Sequence, residues 1–168
     1  MANPLNGGCR DQMISLSVQA FIDLKSHTLR CQPFEACGIL TGPDCNHLQQ
    51  FIPVTNTAAQ PRNHFTLDPA AWTSLLMKKA PVQALYHSHP SSPPLPSIED
   101  LQQLQNFGGL FSSYLIGSPA ASNHSGLPER EPDLELELSV YRITHSRHDQ
   151  AAAGRSLWSL TAAGLLIT

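Results

Sequence analysis

Low charge and several missing sequence signals narrow the class of this protein. Charged residues make up 14% of the 168 residues, and Lys and Arg are scattered without forming a basic stripe. This distribution argues against nucleic acid as the main partner. No window approaches the ~18 apolar residues that a membrane-spanning helix needs, and the N-terminal residues lack the apolar segment of a signal peptide. We therefore expect a cytoplasmic protein without a membrane partner.

The four cysteines contain no C-x-x-C pair, and in the cytoplasm we expect them to be reduced. The length, with 41% hydrophobic residues, suits one domain with a single core. We predict a flexible extension over residues 1–12, a domain over 13–145, and a tail over 146–168 that could pack on this domain.

Interleaved helix and strand patterns predict an α/β (α+β) domain. Helices are expected after Ser17, after Asp68 and after Ser97, each of which can cap a helix N-terminus. Strands are expected at 13–16, 35–42, 47–54, 82–86, 111–116 and 134–141. Hairpins are as evident as crossovers, which favours a mixed, largely antiparallel sheet flanked by helices. We expect 117–133 to be a loop, whereas the pattern of 156–167 fits either helix or strand.

Two histidines, separated by one residue, are the centre of the candidate site. His87 and His89 follow a predicted strand, and residues i and i+2 of a strand point to the same face. Pro90 ends the strand pairing, so both imidazoles would lie at the rim of the sheet. Asp100 lies one turn into the next predicted helix. Two histidines and a carboxylate leave a coordination position open for water, which is typical of a catalytic zinc site, although an H-x-H pair alone could arise by chance.

The polar residues and their spacing match a known family. The pattern Glu35…His87-Ser88-His89-Pro90-x6-Ser97-x-x-Asp100 resembles the motif of the JAMM (MPN-plus) zinc metalloproteases. The compact length is similar to the prokaryotic members. The resemblance implies the MPN/JAMM fold, a cytidine-deaminase-like arrangement with a curved sheet.

The resemblance also implies a role for each polar residue. His87, His89 and Asp100 would ligate one Zn²⁺ per chain. Glu35 would act as the general base that passes a proton to the leaving amine. Ser97 would donate a hydrogen bond to the oxyanion, which could compete with its role as a helix cap.

The family resemblance implies a zinc peptidase or isopeptidase. The expected substrate is a ubiquitin-like or sulfur-carrier protein, cleaved after its C-terminal Gly-Gly. The resemblance is also compatible with a homodimer. The alternative is a non-catalytic MPN-type interaction scaffold. A deaminase-like zinc hydrolase is disfavoured because the sequence has no P-C-x-x-C. Cys37, two residues after Glu35, is expected to be a buried thiol, with a nucleophilic or metal-binding role left open.

Overall fold

An eight-stranded sheet organises the described part of the chain. The computed structural model describes residues 13–120, 135–147 and 156–168. The strands in these ranges are β1 (Met13–Leu16), β2 (Cys37–Thr41), β3 (His47–Leu48), β4 (Gln50–Val54), β5 (Val82–Ser88), β6 (Ser113–Ala120), β7 (Glu135–Arg147) and β8 (Ser156–Ile167). The helices are α1 (Val18–Cys31), α2 (Pro69–Met77) and α3 (Ile98–Phe107).

The sheet is mixed, with the order β3-β1-β8-β7-β6-β5-β2-β4. Four neighbouring pairs are antiparallel, and the β1–β3, β1–β8 and β5–β6 pairs are parallel. The parallel β5–β6 pair is connected through α3, as a crossover requires. The prediction of a mixed α+β fold is therefore confirmed.

Helices cover both faces of the sheet, because alternate side chains of each strand point in opposite directions. On one face, Ala84 and Tyr86 of β5 belong to a core cluster that includes Ala20 and Leu24 of α1. On the other face, Leu85 belongs to a second cluster, against which residues of α2 and α3 pack. This alternation directs His87 towards α3.

Polar caps start the three helices at the predicted residues. The side chains of Ser17, Asp68 and Ser97 accept hydrogen bonds from the backbone N–H groups of Ala20, Ala71 and Asp100, respectively. Each cap satisfies an N–H group that has no partner within its own helix. None of the helices in the described ranges combines the length and apolar character needed to cross a membrane.

Several segments differ from their prediction. The 47–54 segment divides into β3, which pairs with β1, and β4, which pairs with β2. The segment 117–133 begins as the end of β6, and its part after residue 120 lies outside the described residues. The segment 156–167, for which helix and strand were both open, is the strand β8 and lies between β1 and β7 in the sheet. The domain boundaries themselves, including the extension over 1–12, stay a prediction.

The cysteines also differ in part from their prediction. Cys31 and Cys37 are free thiols, whereas Cys45 is in a disulfide. The expectation of reduced thiols is therefore wrong at Cys45.

Leu104 should be a main contributor to the docking of α3. Its side chain is fully buried, whereas Leu101 on the same helix is 41% exposed. We expect Leu104→Ala to lower the free energy of unfolding by about 2–5 kcal/mol, because it leaves a cavity in the core. Chemical denaturation measures this change. Leu101→Ala is the matched control, and equal losses for the two variants would contradict this account of α3 packing.

Candidate metal centre

The end of β5 delivers two imidazoles to one point. His87 is fully buried, and its ring stacks on Phe65 with the ring centroids 4.6 Å apart. His89 follows the last residue of β5, and its backbone N–H donates to the carbonyl of Gly117 on β6 (2.8 Å). The Nε2 atoms of the two histidines are 2.9 Å apart. The strand end therefore presents two nitrogen ligands side by side.

The first turn of α3 supplies a carboxylate to the same point. Oδ1 of Asp100 lies 3.1 Å from Nε2 of His87, and Oδ2 lies 3.4 Å from Nε2 of His89. A capping box holds this side chain: the backbone N–H of Ser97 donates to Asp100 Oδ2 (2.7 Å), and the backbone N–H of Asp100 donates to Ser97 Oγ (3.0 Å). The sequence S-x-x-D thus both starts the helix and orients the carboxylate.

The three side chains can hold a metal ion. Their ligand atoms all lie within 4.8 Å of one another, and all three residues are buried. Nδ1 of His89 lies 2.9 Å from the carbonyl oxygen of Pro93. A carbonyl can only accept, so Nδ1 carries the proton, and in the neutral ring Nε2 keeps its lone pair for a metal. Such an outer hydrogen bond is typical of metal-ligating histidines.

The electrostatics of the group favour a cation between the ligands. Burial lowers the pKa of His87 and keeps its ring neutral. Burial would raise the pKa of Asp100, but hydrogen bonds from His87 and His89 outweigh it and hold this pKa well below its usual range. The pKa of His89 is raised because its bonds to Asp100 and Pro93 outweigh the effect of burial. The charge that favours a proton here also favours a metal, so the two compete.

Glu35 lies across from the histidines. In the antiparallel β2–β5 pair, Cys37 is the partner of His87, so Glu35, two residues earlier, comes level with His89. Glu35, His89 and Ser97 line one cavity of about 180 Å³. Glu35 is 6% exposed, and this burial raises its pKa to about 8. A carboxyl with a pKa near neutrality is suited to accept and return a proton.

Ser97 performs the predicted cap, and its hydroxyl is already engaged. Its Oγ accepts from the backbone N–H of Asp100 and lies 2.8 Å from Asp100 Oδ2, to which it donates. A hydroxyl has one proton to donate. Donation to an oxyanion would therefore require the Ser97 hydroxyl to break its hydrogen bond to Asp100. The predicted competition is thus between this bond within the helix cap and a bond to the oxyanion.

Sequence reasoning missed several residues of the site. Burial raises the pKa of Tyr114, and its hydroxyl donates to Asp100 Oδ1 (3.4 Å). Phe65 covers the ring of His87, and Arg62 and Asn63 line the cavity beside Glu35. The alternation of β6 could have placed Tyr114 on the inner face, but the sequence carries no signal for the other three, which reach the site from a loop.

The remaining candidates fall in separate places. Cys37 is fully buried, as predicted, and its Sγ donates to the carbonyl of Val54 (3.4 Å). Nδ1 of His47 lies 2.8 Å from Oδ1 of Asp44. His64 faces Glu99, with 3.8 Å between Nδ1 and Oε2.

Fold and site together define a class: a mixed α+β domain with a buried His-His-carboxylate metal group at a strand end. Residues 17–127 match the family described as prokaryotic homologs of the JAB domain. Because the match spans more than half of the chain, the protein belongs to this family, as the motif indicated.

Two curated relatives share part of this sequence. A desampylase from Haloferax volcanii is 40% identical over 92 residues, which cover 52% of this chain and 64% of the relative. A probable TtuB-protein conjugate cleaving protease from Thermus thermophilus is 31% identical over 85 residues, 48% of this chain and 56% of the relative. The chain therefore spans less than two thirds of each relative.

A solved structure shares the fold. The solution structure of a protein from Desulfitobacterium hafniense superposes with a TM-score of 0.60 at 22% identity, and the match covers 93% of both chains. At this identity the likeness shows the fold alone.

The raised pKa of Glu35 predicts a pH-dependent stability. Between its ordinary pKa of 4.5 and about 8, the folded metal-free protein keeps a proton that the unfolded chain has lost. The contribution of Glu35 to stability therefore declines as pH rises through this window. We expect Glu35→Gln to melt like wild type near pH 4 and about 2–5 °C higher at pH 8.

Thermal melts of metal-free protein at both pH values measure this difference. Asp23→Asn, which changes an exposed carboxylate on α1, is the control. A melting difference for Glu35→Gln that does not change with pH would contradict the assignment.

Proposed function

We propose that this protein is a zinc-dependent peptidase or isopeptidase of the JAMM type. The observation that carries the proposal is the placement of Glu35 in one cavity with His89 and Ser97, beside the His87–His89–Asp100 group. A metal group alone does not supply a side chain that can accept and return a proton. A buried carboxyl with a raised pKa beside that group supports hydrolysis.

Zinc is the metal that fits this set of ligands. Two imidazoles and one carboxylate are the protein ligands of many catalytic zinc sites, in which water or substrate takes the fourth position. We propose one Zn²⁺ per chain, held by His87, His89 and Asp100. When bound, the ion would lower the pKa of a coordinated water towards ~7 and polarise a carbonyl.

The protein's own residues would handle the proton and the developing charge. Glu35 would accept a proton from the attacking water and return it to the leaving amine, a role that its place in one cavity with His89 supports. Ser97 would donate to the oxyanion after its hydroxyl turns away from Asp100. The backbone N–H of Ser97 also donates to Asp100, so the carboxylate keeps one of its two bonds from Ser97 during this exchange.

The substrate we propose is a ubiquitin-like or sulfur-carrier protein, cut after its C-terminal glycine. A cavity of about 180 Å³ is smaller than the ~300–1,000 Å³ of ordinary ligand pockets. It suits an extended tail without side chains, such as Gly-Gly. One relative is named for cleaving TtuB–protein conjugates and the other as a desampylase, which supports a protein conjugate as substrate. A cytoplasmic location, a homodimer and the absence of nucleic-acid partners stay predictions.

Metal-free protein should bind about one zinc per chain. Because binding to the folded state alone stabilises it, an excess of free zinc at 100 times the Kd should add about 2.7 kcal/mol to the free energy of unfolding. Calorimetric titration and melting measure these effects. We expect His87→Ala to lose both, and His64→Ala, outside the metal group, to retain both. Failure of wild-type protein to bind zinc would favour the scaffold alternative.

Glu35 should be required for turnover. We expect Glu35→Gln to reduce kcat for a ubiquitin-like protein fused after Gly-Gly by about 10²–10⁴-fold, the usual contribution of a general base. Zinc content measured on the same samples should stay at the wild-type level, because Glu35 is not a ligand. Release of the fusion partner, followed on gels or by mass, measures the rate. Asp23→Asn is the control, and full activity of Glu35→Gln would rule out the proposed mechanism.

A further inference from the structure

We propose that the hydroxyl of Ser88 is the positioning element that holds Glu35 in register with the metal group. The inference rests on the proposed function, because it assigns a role in the same site. Ser88 stands between the two histidine ligands, but the alternation of the strand points its side chain to the opposite face from His87. The hydroxyl therefore acts on Glu35 from the face of the sheet opposite His87, through its hydrogen bond to the neighbouring Ala36. It does not contact metal or substrate.

At the end of the β2–β5 pairing, the side-chain hydroxyl of Ser88 takes the place of its backbone carbonyl as a hydrogen-bond acceptor. The strands pair in an unbroken register from Leu40–Ala84 to Cys37–His87. At the next pair, the backbone N–H of Ser88 donates to the carbonyl of Ala36 (2.9 Å). The return bond runs from the backbone N–H of Ala36 to Ser88 Oγ (2.8 Å), where a regular ladder would use the backbone carbonyl. Both residues are almost completely buried.

The Ala36–Ser88 pair lies directly next to the two residues that reach the cavity. The backbone N–H of His89 donates to Gly117 on β6, so the residue after Ser88 stays attached to β6. Glu35 and His89, the residues next to this pair, both line the cavity. The Ser88 hydroxyl keeps the Glu35 segment attached to β5 beside this cavity.

The other bonds of the Glu35 segment lead to a different part of the chain. The backbone N–H of Glu35 donates to the carbonyl of Pro61 (2.7 Å), and the side chain of Asn56 donates to the carbonyl of Glu35 (3.0 Å). Both fasten Glu35 to the 55–67 loop. Among these bonds, those between Ala36 and Ser88 set the distance from Glu35 to the strand that carries both histidines.

Removal of the hydroxyl should therefore affect catalysis more than zinc binding. We expect Ser88→Ala to lower kcat for the Gly-Gly fusion about 10–100-fold, because small displacements of a catalytic group are costly. KM and zinc affinity, the latter measured by competition with a chelator, should stay within about threefold of wild type. Amide hydrogen exchange at Ala36 should accelerate, since its N–H loses its acceptor.

Two further variants make the test specific. Ser88→Thr keeps the hydroxyl and should retain both Ala36 protection and kcat. Ser113→Ala removes another fully buried serine hydroxyl, four pairs away along β5 and β6, and should leave kcat and Ala36 exchange unchanged.

The inference is overturned if Ser88→Ala keeps wild-type kcat or Ala36 protection, or if its loss of activity follows loss of zinc. It is also overturned if Ser88→Thr, folded and zinc-loaded, behaves like Ser88→Ala. Absence of turnover in the zinc-loaded wild type is a different result, because it is the proposed function that then fails. Ala36 exchange in Ser88→Ala still tests the hydrogen bond in that case.

Discussion

The buried carboxylate of Asp100 is the constraint on which the rest of the site depends. A buried charge is costly unless it is paired and hydrogen-bonded. Here two imidazole nitrogens approach it from β5, and Ser97 and Tyr114 donate to it from α3 and β6. The same convergence forms a metal group, so the demands of folding and of ligand binding coincide at this residue.

The position of Asp100 depends in turn on the docking of α3. Leu104 buries the inner side of this helix. The side chain of Gln105 accepts from the backbone N–H of Trp158 (3.0 Å) and donates to its carbonyl (2.8 Å). The chain that follows β7 thus supplies a strand that holds the helix carrying Asp100, although no proposed ligand or catalytic residue lies on that strand.

Local signals made much of the site predictable. Ser97 and Asp100 lie at the spacing of a capping box, and Pro90 directly follows the second histidine. Residues that come from distant segments were not predictable. Phe65 reaches His87 from a loop, and β8 enters the sheet between β1 and β7. The apolar segment 156–167 was ambiguous because its partners, not its own periodicity, make it a strand.

The sequence by itself determined which groups can bind a metal and where the helices begin, because helix caps and strand alternation depend on neighbouring residues. Only the tertiary structure decided how these groups act. It buried Glu35 and raised its pKa to about 8, and it brought the hydroxyl of Ser88 to the N–H of Ala36, 52 residues away. Burial and strand register arise from contacts between segments far apart in the chain, and a single sequence does not display them.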